Sequence, residues 1–366
     1  MLERLCLLVT LAMGVGFAVP ADGQVASRNF KNYTIVPENY VCYKTAGNIK
    51  IDGDLNESSW QNVPWTKDFV DIEGTTKPTP RYRTRIKMLW DKNYLYIGAW
   101  LQEPHIWATL TQRDAVIYHD NDFEVFIDPN GDTHQYFELE INAFNTLMDL
   151  FMSKPYRNGG SFDMKWDTKG VKTAVKINGT INHPADQDSS WTVEMAIPFS
   201  ALQLTDKSAV PADNDIWRIN FSRVEWDTDI VDGKYVKLKK PENNWVWSAQ
   251  EMIDMHAPER WGYLQFAAAS AGKGNKTFVY PADTEARKEA WRLYNLQREY
   301  RASHGKYASS LTELNITDKI NVDNGGTYNI TLSGDGSSFE WTIKGKKIAA
   351  DILHINQDGK IWLQKK

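Results

Sequence analysis

The stretch YHDNDFEVFIDPNGD, Tyr118 to Asp132, decides how the rest of the chain is read. It packs Asp120, Asp122, Glu124, Asp128 and Asp132 around an apolar run of Phe123, Val125, Phe126 and Ile127. Side chains of a strand alternate between two faces, so Phe123, Val125 and Ile127 take one face and Asp122, Glu124, Phe126 and Asp128 the other. The first set reads as core. Asp128-Pro-Asn-Gly-Asp132 reads as a hairpin turn, with Pro129 fixing φ and Gly131 supplying a positive φ. Carboxylates this dense admit three chemistries: an acid/base pair, a cation loop, or a hydrogen-bonding floor for a polar ligand.

The same period of two extends on both sides. RTRIKMLW (83–90), a turn at Asp91-Lys92-Asn93, and YLYIGAWL (94–101) form a hairpin signature. YFELEINAF (136–144) sets Phe137, Leu139 and Ile141 against Tyr136, Glu138, Glu140 and Asn142. KTAVKI (172–177), SWTVEMAI (190–197) and DIWRINFSRVEW (215–226) repeat the rhythm, and only Pro198 to Leu204 hints at a short helix. Many short strands with turns between them predict a mainly β fold, an antiparallel β-sandwich or barrel. Twelve of the 15 Trp lie between Trp60 and Trp261, which suits an aromatic-rich core. Trp226, Trp245 and Trp247 sit beside polar, turn-like sequence and fit that account less well.

The pattern changes after Phe266. Residues 269–281 read as a linker, and DTEARKEAWRLYNLQREYRAS (283–303) has helical period, with Asp283 as N-cap and His304-Gly305 as its end. Strand-like TYNITLSG, FEWTIKGK and ILHINQDGKIWLQ follow, giving a small C-terminal α+β module over 282–366. At the other end, Arg4 precedes the apolar run LCLLVTLAMGVGFAV and then Ala21-Asp22-Gly23. That predicts a signal peptide over 1–23, an N-terminal extension over 24–45, and an exported protein, periplasmic or extracellular. A bilayer span needs about 20 apolar residues, and no second run of that length exists, so no membrane span is expected after cleavage. Removal of the signal leaves Cys42 as the lone cysteine, which forms no internal disulfide. Asn-x-Ser/Thr sequons, among them those at Asn32, Asn56, Asn178, Asn315 and Asn329, matter only in a glycosylating host.

The 366 residues are 42% hydrophobic and 24% charged, with net charge -5 and pI near 5.9. That is ordinary for a globular chain, and without a basic run it argues against a nucleic-acid partner.

Four segments in order resemble family 9 carbohydrate-binding modules: IDGDLNESSWQNVPW (51–65), DNDFEVFIDPNGD (120–132), WTVEMAIPFSAL (191–202) and HAPERWGYLQF (256–266). The resemblance covers residues 46–268 and implies a β-sandwich that binds sugars, in which two aromatic rings clamp a saccharide and polar side chains bond its hydroxyls. It implies a clamp ring six residues before a ligand-binding Glu, which makes Tyr118 and Glu124 the first candidates. Arg113, at the rim, and Asn145, in a turn, are further candidates, and Trp226 or Trp245 would supply the second ring face. The expected partner is a poly- or oligosaccharide, bound at a chain end during polysaccharide capture or degradation.

The resemblance also implies structural calcium. Asp128 and Asp132 would hold it, although their turn needs no ion and no cofactor is required. Two other functions stay open. Asp120, Asp122, Glu124, Glu138 and Glu140 offer pairs for a glycan hydrolase. Met148, Met152, Met195, Met252, Met255, His119 and His256 offer axial ligands for haem, which relatives of this fold bind. No nucleophile elbow, phosphate loop or zinc spacing is present, and the C-terminal module is short for a hydrolase, so a non-catalytic binding protein is expected.

Overall fold

In the computed structural model, which describes residues 35–204, 209–322, 326–345 and 351–365, the fold is built from hairpins. The expected signal peptide lies outside the described residues. The Asp91-Lys92-Asn93 turn shows the local logic: Asp91 Oδ1 accepts the backbone N–H groups of Asn93 and Tyr94 at 2.7 and 2.8 Å. The side chain replaces the ladder where the chain reverses. It joins strand Thr84–Trp90 to Tyr94–Gln102.

One continuous ladder runs Leu147–Met152, Tyr136–Asn142, Asp122–Asp128, Ile216–Glu225, Gly262–Ser270, Asn39–Lys44, Thr84–Trp90, Tyr94–Gln102, Ser190–Pro198, Lys172–Asn178. It is antiparallel except at Asn39–Lys44, which pairs in parallel with Gly262–Ser270 on one side and Thr84–Trp90 on the other. That strand is the seam along which the ladder folds over. Ile86, Met88, Ile97 and Val193 from one layer pack against Phe123, Val125, Ile127, Leu139 and Phe221 from the other in a single core cluster. The sandwich and the inward face of the 122–128 strand are as the alternation predicts.

The outward face departs from a simple sandwich. Every residue of Asp122–Asp128 and of Tyr136–Asn142 is buried. A second apolar cluster covers that face: Ile117, Phe126, Tyr136, Met148, Leu150, Met152 and Trp261. The charged alternation therefore lies under a lid of chain, where alternation alone predicts solvent. Gly262, next to Trp261, has a local reason: a Cβ there would collide with the Trp247 ring and reach Glu38 O at 3.0 Å.

The helical period over 283–303 becomes helix Thr284–His304, closed by Gly305 at φ 71°. Asp283 precedes it, but its carboxylate bonds Arg287 Nε at 2.7 Å instead of capping a backbone N–H. Ala286, Ala290, Leu293 and Tyr294 pack on a five-stranded sheet through Tyr328, Phe339, Trp341 and Leu353. The hint of helix after Pro198 is a single 3-10 turn, Phe199–Ala201.

Candidate functional site

Strand register assembles an acidic floor. Glu124 stands opposite Glu140 on one neighbouring strand and opposite Ser222 on the other, while Phe126 faces Glu138. Directly opposed residues share a face, so these carboxylates converge. One carboxylate oxygen each of Asp122, Glu124 and Glu140 lies within 4.8 Å of the other two. Asp122, Glu124, Glu138 and Glu140 are at most 5% exposed.

The floor is only partly satisfied. Asp122 Oδ1 accepts the Val224 N–H at 3.2 Å and Glu140 Oε2 the Tyr118 N–H at 2.9 Å. Asp122 Oδ2, Glu124 Oε2, Glu138 Oε2 and Ser222 Oγ have no hydrogen-bond partner among the described residues. Among the described residues no Lys or Arg forms an ion pair with these four; His256 Nε2 is 3.8 Å from Glu138 Oε2. Burial pushes that imidazole down to about 4, which leaves it neutral at pH 7. Burial, followed by the charges of their neighbours, raises Asp122, Glu124 and Glu140 well above the usual carboxylate range. Burial pushes Glu138 up to about 8.

Two aromatic residues are tied to this floor. Tyr118 is 39% exposed, and its backbone joins two neighbours: its N–H bonds Glu140, and its carbonyl accepts the Trp226 indole N–H at 2.8 Å. Asn121 Oδ1 accepts the Trp226 backbone N–H at 2.8 Å. Lys237 Nζ lies 3.8 Å from the Trp226 ring centroid, a cation–π contact, and bonds His119 O at 2.8 Å. A cavity of about 410 Å³ opens beside Trp226, with Arg81, Tyr82, Glu103, His105 and Asn121 in its wall. The structure thus brings Tyr118, Glu124 and Trp226 into one neighbourhood.

The other expected residues are placed elsewhere. Arg113 bonds Asp149 at 2.8 Å and also pairs with Asp167 and Asp114. Asp149 stands opposite Leu139, whereas Glu140 stands opposite Met148, so Arg113 is anchored to the face away from Glu140. Asn145 occupies a turn at φ 62°, a conformation Asn tolerates, and its amide reaches Thr173 O at 3.4 Å. Trp245 is a core ring, 3% exposed, edge-on to Tyr82 and flanked by Arg81 and Arg223. None of these three faces the floor.

Asp128 and Asp132, the expected cation pair, accept backbone N–H groups of their own turn. Asp128 accepts the N–H groups of Gly131 and Thr133 at 2.9 and 2.8 Å, and Asp132 accepts that of His134 at 2.9 Å. Burial still pushes Asp128 up to about 7. Their turn is where the C-terminal module docks: Thr133 Oγ1 donates to Gly359 O at 2.7 Å, and Arg287 to Gly131 O at 3.0 Å. Of the haem candidates, Met195 is in the core, Met148 and Met152 fill the outer apolar cluster, and His256 Nδ1 bonds the Tyr136 hydroxyl at 2.9 Å.

Sequence reasoning counted Glu138 and Glu140 only as members of many possible pairs and left out Ser222. Their signal was the phase of the strands: Glu138-x-Glu140 shares a face with Asp122-x-Glu124 once the 129–135 turn sets the register. Glu242 was also missed; it lies in a loop, close enough for its charge to bear on both Tyr118 and Glu124.

Residues 51–267 match the model of the carbohydrate family 9 binding domain-like family. The chain is 26% identical over 167 residues to exoglucanase XynX of Acetivibrio thermocellus, a match covering 46% of this chain and 13% of that one. It is 26% identical over 156 residues to endo-1,4-beta-xylanase A of Thermoanaerobacterium saccharolyticum, covering 43% and 11%. The match thus spans a small fraction of these curated relatives. Among solved structures, a family 9 carbohydrate-binding module from Caldicellulosiruptor kristjanssonii in complex with glucose is 19% identical, with 67% and 100% of the two chains covered and a TM-score of 0.41. With its family model matched over more than half of its length, the chain belongs to the carbohydrate family 9 binding domain-like family.

Proposed function

We propose that this is an exported, non-catalytic protein that binds a glycan, at a chain end, through the floor around Glu124 and the rings of Tyr118 and Trp226. One observation carries the reading. Tyr118 is bonded through its N–H to Glu140 and through its carbonyl to the Trp226 indole, so the two ring-bearing residues are tied to the carboxylate floor. A pyranose offers apolar C–H faces to rings and a rim of hydroxyl donors to carboxylates. The family assignment, and relatives named exoglucanase and endo-1,4-beta-xylanase, support a polysaccharide as the source. The family assignment, to a binding domain, supports binding over hydrolysis. An acidic floor also favours neutral sugars over uronic acids.

Calorimetry against neutral and uronic-acid oligosaccharides, with free and chemically reduced ends, tests this. Glu124→Ala should weaken binding at least tenfold, as expected for a lost charged hydrogen bond of about 1.5–3 kcal/mol, while circular dichroism stays native. Binding left unchanged in Glu124→Ala and in Trp226→Ala would place the pocket elsewhere.

A further inference from the structure

We propose that Trp65, Arg85 and Trp100 form a second saccharide site, on the face of the sandwich opposite the acidic floor, and that it takes a sugar bearing a carboxylate: a uronic acid of a glycan. The site does not rest on the reading of the floor around Glu124.

Strand phase puts these residues together. Ile86 and Met88 of Thr84–Trp90, and Ala99 and Leu101 of Tyr94–Gln102, point into the core, so Arg85, Lys87 and Trp100 point outward. Arg85 stands directly opposite Trp100. Trp65 is held beside them by its neighbour Thr66, whose N–H donates to Ile86 O at 2.9 Å and whose hydroxyl accepts the Ile86 N–H at 3.0 Å. The Arg85 guanidinium carbon lies 4.6 Å from the Trp65 ring centroid and 5.2 Å from that of Trp100. Both Trp residues are half-buried, which leaves part of each open to solvent.

This guanidinium lacks an anion. Among the described residues Arg85 makes no hydrogen bond and no ion pair, and its Nε is buried. Arg83, next along the same face, holds Asp68 at 2.8 Å, so the acid whose charge reaches Arg85 is already engaged. Burial, together with the charge of Arg83, pushes the Arg85 pKa below its ordinary value. Lys87 adds a second cation: it is 5% exposed, its Nζ lies 4.7 Å from the Trp65 centroid, and it donates to the Trp60 carbonyl. Aromatic rings attract a cation but offer no oxygen to its N–H fork. A carboxylate supplies the missing pair of acceptors in the plane of the fork.

The rings indicate what carries that carboxylate. A pyranose has an apolar C–H face that lies flat on an indole, and a uronic acid joins such a face to one carboxylate at the ring's edge. It can therefore stack on a Trp while its carboxylate meets Arg85. Bare phosphate or sulfate would use the cation and leave both rings idle. The two outer faces of the sandwich then sort sugars by charge, carboxylates without a Lys or Arg on one and a guanidinium without a carboxylate on the other.

Calorimetry of the full chain against trimers of galacturonic and glucuronic acid, their methyl esters, and potassium sulfate alone tests the site. One of the acidic trimers should bind about tenfold or more tightly than its ester, and less tightly as salt is raised. Arg85→Gln should weaken that trimer about tenfold or more while circular dichroism and neutral-glycan binding stay as in the wild type. Arg85→Lys keeps the charge without the fork and should recover only part of the loss. Trp100→Ala should weaken the trimer as well. Acidic trimers bound no better than their esters, or bound equally by Arg85→Gln, overturn the site. Sulfate bound as tightly as the trimer overturns the sugar and leaves a bare anion site. Trimer binding lost in Glu124→Ala and kept in Arg85→Gln places the acidic sugar at the floor and overturns the proposal.

Discussion

The turn at Asp128–Asp132 and the triad of Asp122, Glu124 and Glu140 lie at opposite ends of one hairpin and carry the same chemical groups. In the turn, both Asp128 oxygens and one of Asp132 accept backbone N–H groups, the other Asp132 oxygen pairs with Lys360, and the result is a ledge that binds other chain. In the triad, Asp122 Oδ2 and Glu124 Oε2 are buried with no hydrogen-bond partner within the geometric limits, and no Lys or Arg forms an ion pair with the triad among the described residues. Density of carboxylates is therefore a poor guide to function. What separates structure from site is whether each oxygen already has a partner.

The largest expected effect is a pH response, to which Asp128 of the turn, pushed up to about 7, contributes alongside the triad's neighbourhood. Glu138, pushed up to about 8, holds in the folded chain a proton that an unfolded Glu releases near 4.3. Such a group contributes stability that is complete below the unfolded value and is lost as pH rises through 8; each tenfold difference in proton affinity between the folded and unfolded chain is worth roughly 1.4 kcal/mol. With cations chelated, urea midpoints should fall as pH is raised from 5 to 8, and Glu138→Gln should flatten that limb. His256 acts with the opposite sign: held near 4 by burial, it contributes stability above about 6.5 that is lost on acidification. A profile with no loss of stability toward pH 8 would remove the contrast.

Next in size is Asp128→Ala. It strands the buried N–H groups of Gly131 and Thr133 and should cost roughly 3 kcal/mol in urea unfolding, because each unpaired buried donor costs about 1–3 kcal/mol. Glu124→Gln should go the other way: removing an unpaired buried charge is expected to leave chelated protein as stable, or more stable by about 1 kcal/mol, while glycan binding falls. Equal losses from the two substitutions would erase the distinction between ledge and site. Asp132→Asn is the smallest. Its pairing with Lys360 at 3.5 Å is partly exposed, and its loss should shift unfolding by under about 0.5 kcal/mol.

The sequence was most legible where one physical rule acts alone. Period-two runs marked the strands, and Phe123, Val125 and Ile127 point inward as their alternation requires. The Asp91 and Gly305 signals marked a turn and a helix end. The parallel seam at Asn39–Lys44 was not legible, because a strand's pattern does not name its partners. The same gap explains the site. Tyr118 and Glu124 could be chosen from one segment, but Glu140 and Ser222 join them only through register, and Arg113 and Trp245 leave for the same reason. Arg113 sits by Asp149 on the other face, and Trp245 is turned toward Tyr82.

Several contacts between the sandwich and the C-terminal module end on main-chain acceptors, beside side-chain pairs such as Tyr294–Asn158, Lys154–Asp358 and Lys360–Asp132. Gly359 O, Asp358 O, Gly131 O and Asp132 O are the acceptors for Thr133, Asn158, Arg287 and the Ile361 N–H. A carbonyl is present whatever residue bears it. Drift at the residues that bear those carbonyls is thus nearly silent, provided the loop shapes survive, and the constraint on divergence falls on the donors and on the paired side chains.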